Sequence, residues 1–186
     1  FAKEGFDVTS FDLSFPLLRI AKNSSKEDHL NVKYFRSDIR HLPLKGSFDL
    51  VLNMFTSFGY FTTDKENFSF IHSANRLLKD DGIFIFDYLN KQYVANNLIP
   101  YSQKDIKGKS IIEERKINKK RVEKKITIKS HKGEKIFNES VLMYSGEEII
   151  KGFNSCGFNE YKIFGDYLGN SFDDVNSSRL IIFFKK

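Results

Sequence analysis

An α/β fold built on a mostly parallel sheet is what this sequence predicts, and three observations carry the prediction. Short candidate strands recur at residues 6–11, 32–35, 48–54 and 83–86, and the last two are nearly continuous apolar runs, as in strands buried on both faces. Each strand closes in polar residues, with Asp12, Asp38, Asn53 and Asp87 at or just past the successive ends. Helical spacing or a loop separates one run from the next, so strand and crossover alternate and right-handed parallel connections follow.

The chain opens on Phe1-Ala2-Lys3-Glu4, which reads as a helix end closed by Gly5, the residue that takes the left-handed cap conformation most cheaply. After the strand over 6–11 and Asp12, Ser14 is placed to cap a short helix with Pro16 in its first turn, where a missing N–H costs nothing. Leu17, Leu18, Ile20 and Ala21 give that helix its apolar side, and Asn23-Ser24-Ser25-Lys26 is expected to dissolve it. The strand over 32–35 leads to Ser37-Asp38-Ile39, and Pro43 and Gly46 mark residues 40–45 as a loop. The central strand from Phe48 changes character at its end, where Asn53, Thr56, Ser57, Gly59 and Tyr60 bring polar groups and flexible backbone. Thr62 or Asp64 is placed to cap a helix that buries Phe68, Ile71, Ala74, Leu77 and Leu78 and ends at Asp81-Gly82.

After the strand over 83–86 and Asp87-Tyr88-Leu89-Asn90 the pattern breaks. Residues 110–144 read as three alternating strands with turns near Asn118-Lys119 and Lys132-Gly133, the body of a β-rich insertion over 101–144. A helix from about Ser145, with Glu147 and Glu148 complementing its dipole, ends at Gly157. The strands over 158–164 and 180–184 are joined by a loop too short for a helical crossover, so they should pair antiparallel.

A chain of 186 residues fits one domain, and we read residues 1–186 as one domain carrying the insertion. Phe1 is preceded by no initiator Met and begins no basic-then-apolar leader, so we expect a piece of a longer protein. No apolar run nears the roughly 20 residues of a membrane span. The single cysteine, Cys156, rules out an internal disulfide; both features fit a soluble protein of a reducing cytoplasm. A net charge of +6 admits a polyanion partner such as RNA. The basic residues, however, gather over 104–135 among Glu113, Glu114, Glu123 and Glu134, as on a solvated face. Phe137 and Tyr144 are the only aromatics over 104–144, too few to stack single strands. No Cys and His spacing suggests a metal site.

In open α/β sheets ligands bind at the carboxyl ends of the strands, which makes the polar strand ends the candidates. Asp12 stands between strand and helix, where nucleoside-binding folds place the acid that accepts from ribose hydroxyls; alternatively it caps the helix. Asp38 is a second such acid, with Ile39 beside it to pack a ring, and Asn53 and Asp87 continue the rim. A nucleoside-shaped ligand follows. Tyr60 and Asn90, with Tyr88 behind them, are candidates for orienting a second substrate, although Tyr60 and Phe61 also suit a core. His41 and His72 are the weaker candidates for a base.

The stretches Gly5-Phe6-Asp7-Val8-Thr9-Ser10-Phe11-Asp12-Leu13-Ser14, Ser37-Asp38-Ile39-Arg40-His41-Leu42-Pro43, Phe48-Asp49-Leu50-Val51 and Leu77-Leu78-Lys79-Asp80-Asp81-Gly82 together resemble the core segments of class I S-adenosylmethionine-dependent methyltransferases. The resemblance covers residues 1–90. The helix from Ser145, Phe164-Gly165-Asp166-Tyr167 and Ser178-Arg179-Leu180-Ile181 resemble the close of the small-molecule branch, which also carries a Thr-Ser-Phe-Gly-Tyr-Phe segment and a β-rich insertion. The resemblance implies a Rossmann-like, doubly wound sheet with an antiparallel C-terminal strand pair and an inserted antiparallel β element. It also implies S-adenosyl-L-methionine as cofactor and methyl transfer to a nitrogen or oxygen of a small-molecule acceptor. By residue, it implies that Asp12 holds the ribose, Leu13 and Ile39 flank adenine, Asp38 meets the adenine amino group, and Asn53 and Met54 lie beside the methionine part. The family's glycine-rich segment, which cradles that part, is expected before Phe1. Asn53 stands where many relatives have an acid.

Overall fold

The chain folds as two units, Phe1–Gly46 and Ser47–Lys186, and the computed structural model describes all of residues 1–186. In the first unit Gly5 takes φ 86° and closes a 3-10 turn over Ala2–Glu4, the expected cap on a shorter element. Strand β1 (Val8–Asp12) and helix α1 (Phe15–Glu27) follow, and Ser14 caps the helix by accepting from the Leu17 N–H. The helix runs on through Asn23-Ser24-Ser25-Lys26, where the sequence predicted that it would dissolve. The reason is local. Ser25 is buried, and its hydroxyl is satisfied by the Ala21 carbonyl and by the Tyr34 hydroxyl of the next strand, so a polar residue costs the helix little. Strand β2 (Val32–Arg36) pairs in parallel with β1, stacking Phe35 on Phe11 at 5.4 Å. A 3-10 turn over Ile39–His41 interrupts the expected loop.

In the second unit, β3 (Phe48–Asn53) leads to α2 (Asp64–Leu77). Thr63, between the two residues expected to cap this helix, is its N-cap, in a reciprocal capping box with Glu66. Strand β4 (Leu78–Leu89) begins earlier than expected, since Asp81 (φ 63°) and Gly82 do not end the helix. They form an irregularity inside the strand, where the parallel register slips from Phe48 opposite Leu78 to Leu50 opposite Ile83. A short helix, α3 (Lys91–Asn97), capped by Asn90, was not legible in the sequence.

The insertion is an antiparallel meander of β5 (Tyr101–Ile106), β6 (Lys109–Asn118), β7 (Arg121–Ser130) and β8 (Gly133–Leu142). It has one strand more than residues 110–144 predicted, because β5 precedes that stretch. Its lysines face acids across the strands, Lys116 on Glu123, Lys124 on Glu139, Lys125 on Glu114 and Lys129 on Glu134. Helix α4 (Gly146–Ser155) has a second capping box, Ser145 with Glu148, and Cys156 is buried at its end. Strands β9 (Glu160–Phe164) and β10 (Arg179–Lys185) pair antiparallel as expected, giving the sheet order β3-β4-β10-β9. The core of this unit is aromatic. Phe84, Phe86, Phe153, Phe158 and Phe184 are wholly buried, and Phe153 stacks on Phe184 at 3.9 Å. No helix is long and apolar enough to cross a membrane.

Candidate active site

In the first unit the parallel pairing of β1 and β2 brings Asp12 and Asp38 off the same, carboxyl, edge of their sheet. Asp12 is exposed and caps the approach to α1, one carboxylate oxygen accepting from the Ser14 N–H at 2.7 Å. That leaves its second oxygen for a ligand, and the neighbouring Leu13 is 59% exposed. Asp38 is more committed. It accepts from the Arg40 N–H at 2.9 Å and pairs with the Arg40 guanidinium at 2.7 Å, which holds its carboxyl down at about 2. Arg40 contacts reach both carboxylate oxygens, so an amino group that approached Asp38 would share them with the Arg40 side chain. Ile39 lies half-buried in the turn that follows, and His41 is exposed. The set suits a diol and a flat heterocycle.

In the second unit Asn53 lies opposite Phe86, so Asn53 and Asp87 share the carboxyl edge of the β3 and β4 pair. Asn53 is buried and its Oδ1 has no hydrogen-bond partner. An open buried acceptor costs about 1–3 kcal/mol, and a ligand bearing an N–H donor would relieve it. Met54 is half-buried beside it. Phe55 (φ 58°) and Thr56 (φ 62°) then take the left-handed region in succession, a strain that must be held by something. Asp87 supplies the hold, accepting from the Phe55 N–H at 2.7 Å on its carboxylate and from the Thr56 N–H at 3.1 Å on its carbonyl.

Tyr60 stands half exposed further along the same segment, its hydroxyl pushed up by burial and by the nearby Glu139 carboxylate. Gly59 (φ 91°) before it admits no side chain, since a Cβ would lie 2.8 Å from the Leu142 carbonyl oxygen. Arg121 of β7 donates to the carbonyls of Gly59, Tyr60 and Phe61, fastening this segment to the insertion. Tyr88 and Asn90, expected to meet a substrate, are sealed instead. Tyr88 is wholly buried with its hydroxyl donating to the Leu142 carbonyl. Asn90 caps α3 and donates to the carbonyls of Asp174 and Ser177 at 2.9 and 2.8 Å. Both hold walls in place, because a strand end in a packed sheet turns alternate side chains inward. His72 is exposed on α2.

Residues 1–82 match the family model described as a methyltransferase domain. The fold superimposes on an S-adenosylmethionine-dependent methyltransferase from Clostridium acetobutylicum ATCC 824 with a TM-score of 0.84 and 20% identity, over 97% of this chain and 75% of that one. The first 82 residues thus match a methyltransferase domain, and the fold is one that S-adenosylmethionine-dependent methyltransferases share. A provisionally named methyltransferase of Geobacillus sp. (strain WCH70) is 34% identical over 86 residues, 46% of this chain and 35% of that relative. The chain thus spans about a third of the length of this curated relative. An amino pentose methyltransferase from Micromonospora echinaspora, solved with S-adenosylmethionine bound, shares the methyltransferase fold at a TM-score of 0.68 and 17% identity, over 97% of this chain and 74% of that one.

Sequence reasoning missed the roles of Phe55, Arg121, Tyr167 and Arg179. One signal was available: an acid at the end of an apolar strand needs a cation, and Arg179 is the basic residue that opens the last apolar run. The left-handed pair at Phe55 and Thr56 had no signal, since neither residue favours that region.

Proposed function

We propose that the protein transfers a methyl group from S-adenosylmethionine to a nitrogen or oxygen of a small-molecule acceptor. The observation that carries this reading is the open Oδ1 of buried Asn53 at the carboxyl end of β3, where this fold family places the methionine part of its cofactor. In the first unit Asp12 accepts from the ribose hydroxyls, Leu13 and Ile39 flank the adenine, and Asp38 accepts from its amino group. In the second, Asn53 and Met54 lie along the methionine part. Bound S-adenosylmethionine supplies an activated methyl group on a positively charged sulfur. The protein's remaining task is to aim the acceptor lone pair at that carbon, and positioning alone can supply several kcal/mol. Tyr60 serves as an orienting donor, because a hydroxyl pushed up in pKa keeps its proton and does not act as a base at neutral pH. The small-molecule acceptor is supported by the likeness to the amino pentose enzyme and by the scarcity of aromatic residues over 104–144 that could stack the bases of a single strand.

The test is transfer of labelled methyl from S-adenosylmethionine by the complete protein into a cell extract separated by size. Label in the low-mass fraction is expected. Label confined to nucleic acid or protein, or no transfer, would overturn the small-molecule reading.

A further inference from the structure

Asp87 is wholly buried, and both of its carboxylate oxygens are in use. Oδ1 pairs with Arg179 Nη2 at 2.6 Å and accepts from its Nε at 2.8 Å, while Oδ2 accepts from the Phe55 N–H at 2.7 Å and from the Tyr167 hydroxyl at 2.8 Å. The same guanidinium donates to Thr56 Oγ1 at 3.0 Å. The partners converge on the one place where two successive non-glycine residues sit in the left-handed region. A buried ion pair is a poor device for stability alone, and backbone strain held from several sides gathers at functional sites.

What this arrangement achieves is presentation. Phe55 is 76% exposed and Tyr167 58% exposed, their ring centroids 6.5 Å apart with planes tilted by 55°, on the segment that directly follows the open oxygen of Asn53. Large apolar rings facing water are costly unless something covers them. An aromatic face is also a negative one, and it attracts a cation that has shed its water. A phenol that donates to a carboxylate carries more electron density in its ring, so the bond from Tyr167 to Asp87 deepens that attraction.

We propose that Phe55 and Tyr167 form an aromatic wall for the sulfonium of the methyl donor, with Asp87 and Arg179 as the positioning residues that hold it. The proposal rests on the methyl-transfer reading above. Its chemical consequence is discrimination between donor and spent product. S-adenosylmethionine carries a positive charge on sulfur, S-adenosylhomocysteine carries a neutral thioether, and the two are otherwise alike except for the methyl group. A wall that responds to the charge favours the loaded cofactor and lets the spent one leave.

Calorimetric titration of the complete protein with S-adenosylmethionine and, separately, S-adenosylhomocysteine tests this without any knowledge of the acceptor. Phe55→Leu keeps an apolar side chain and removes the π face. A single cation–π contact is worth a factor of about three to ten at a partly exposed site, so this variant should weaken the sulfonium ligand by that factor and leave the thioether within about twofold. Phe55→Tyr should restore the difference. Tyr167→Phe keeps its ring but cuts the bond to Asp87, and should reduce the preference in the same direction by less. Because its side chain is exposed, Phe55→Leu should melt as the wild type does, whereas Tyr167→Phe, which takes a donor from the buried Asp87 carboxylate, should melt somewhat lower. If Phe55→Leu weakens both ligands equally, or neither, the wall is overturned while the methyl-transfer reading stands. A wild-type protein that binds neither ligand overturns both.

Discussion

Asp38 shows how one residue's surroundings decide its use. Arg40 lowers its carboxyl from 3.8 to about 2 in the folded chain. A depressed carboxyl contributes stability that is complete above its unfolded pKa and is lost as the pH falls through its folded one. The loss should therefore fall between about pH 4 and pH 2, and Asp38→Asn should flatten that limb of the melting temperature against pH. The same depression keeps Asp38 ionised, hence an acceptor, at any pH where the protein works. Asn53 presents the opposite case, a group that costs the fold something and serves a ligand. Asn53→Ala removes an open buried acceptor, offsetting the side-chain volume lost, so stability should stay within about 1 kcal/mol. Binding of S-adenosylmethionine should fall in the same variant. A melting temperature that drops sharply with binding unchanged would make Asn53 a structural residue.

At the scale of elements, the capping boxes at Thr63 and Ser145 set where α2 and α4 begin, and Thr63→Ala should cost about 1 kcal/mol in chemical denaturation. The insertion matters more for function. It leaves the β3-β4-β10-β9 sheet after α3 and returns just before Ser145, so β3, β4, β9 and β10 pair without it. Arg121 and the Leu142 N–H nonetheless tie it to the segment that carries Tyr60. Replacing residues 101–144 by a short linker should keep cofactor affinity and abolish methyl transfer. Lost cofactor binding in a variant that still folds would place the insertion in the cofactor site, and retained transfer would make it peripheral. The alternation of Ile126 and Ile128 with Thr127 and Lys129 announced this sheet, but β5 escaped notice because Tyr101-Ser102-Gln103-Lys104-Asp105 has almost no apolar side to read.

For the whole molecule, what the sequence disclosed was whatever depends on neighbours along the chain. Strand, acid and helix recur at short range, and this repetition exposed the parallel pairs, the edge with Asp12 and Asp38, and the edge with Asn53 and Asp87. What stayed hidden depends on residues far apart in sequence. Tyr88 is turned inward by Leu142 and Asn90 is bound by Asp174 and Ser177, contacts that no local pattern encodes. Arg179 reaches Asp87 from the neighbouring antiparallel strand, 92 residues on in sequence, and the two side chains together hold the left-handed backbone at Phe55 and Thr56. The central claim is that the protein binds S-adenosylmethionine and that Asp12 takes part, and the affinity of the complete protein for that cofactor, with and without the Asp12 carboxylate, tests it most directly. We expect the wild type to bind, and Asp12→Ala to bind about 5- to 150-fold more weakly, the equivalent of about 1–3 kcal/mol for a lost charged acceptor. An unchanged dissociation constant would reduce Asp12 to the cap of α1 that its bond to Ser14 already makes it, and a wild type that does not bind at all would contradict the account.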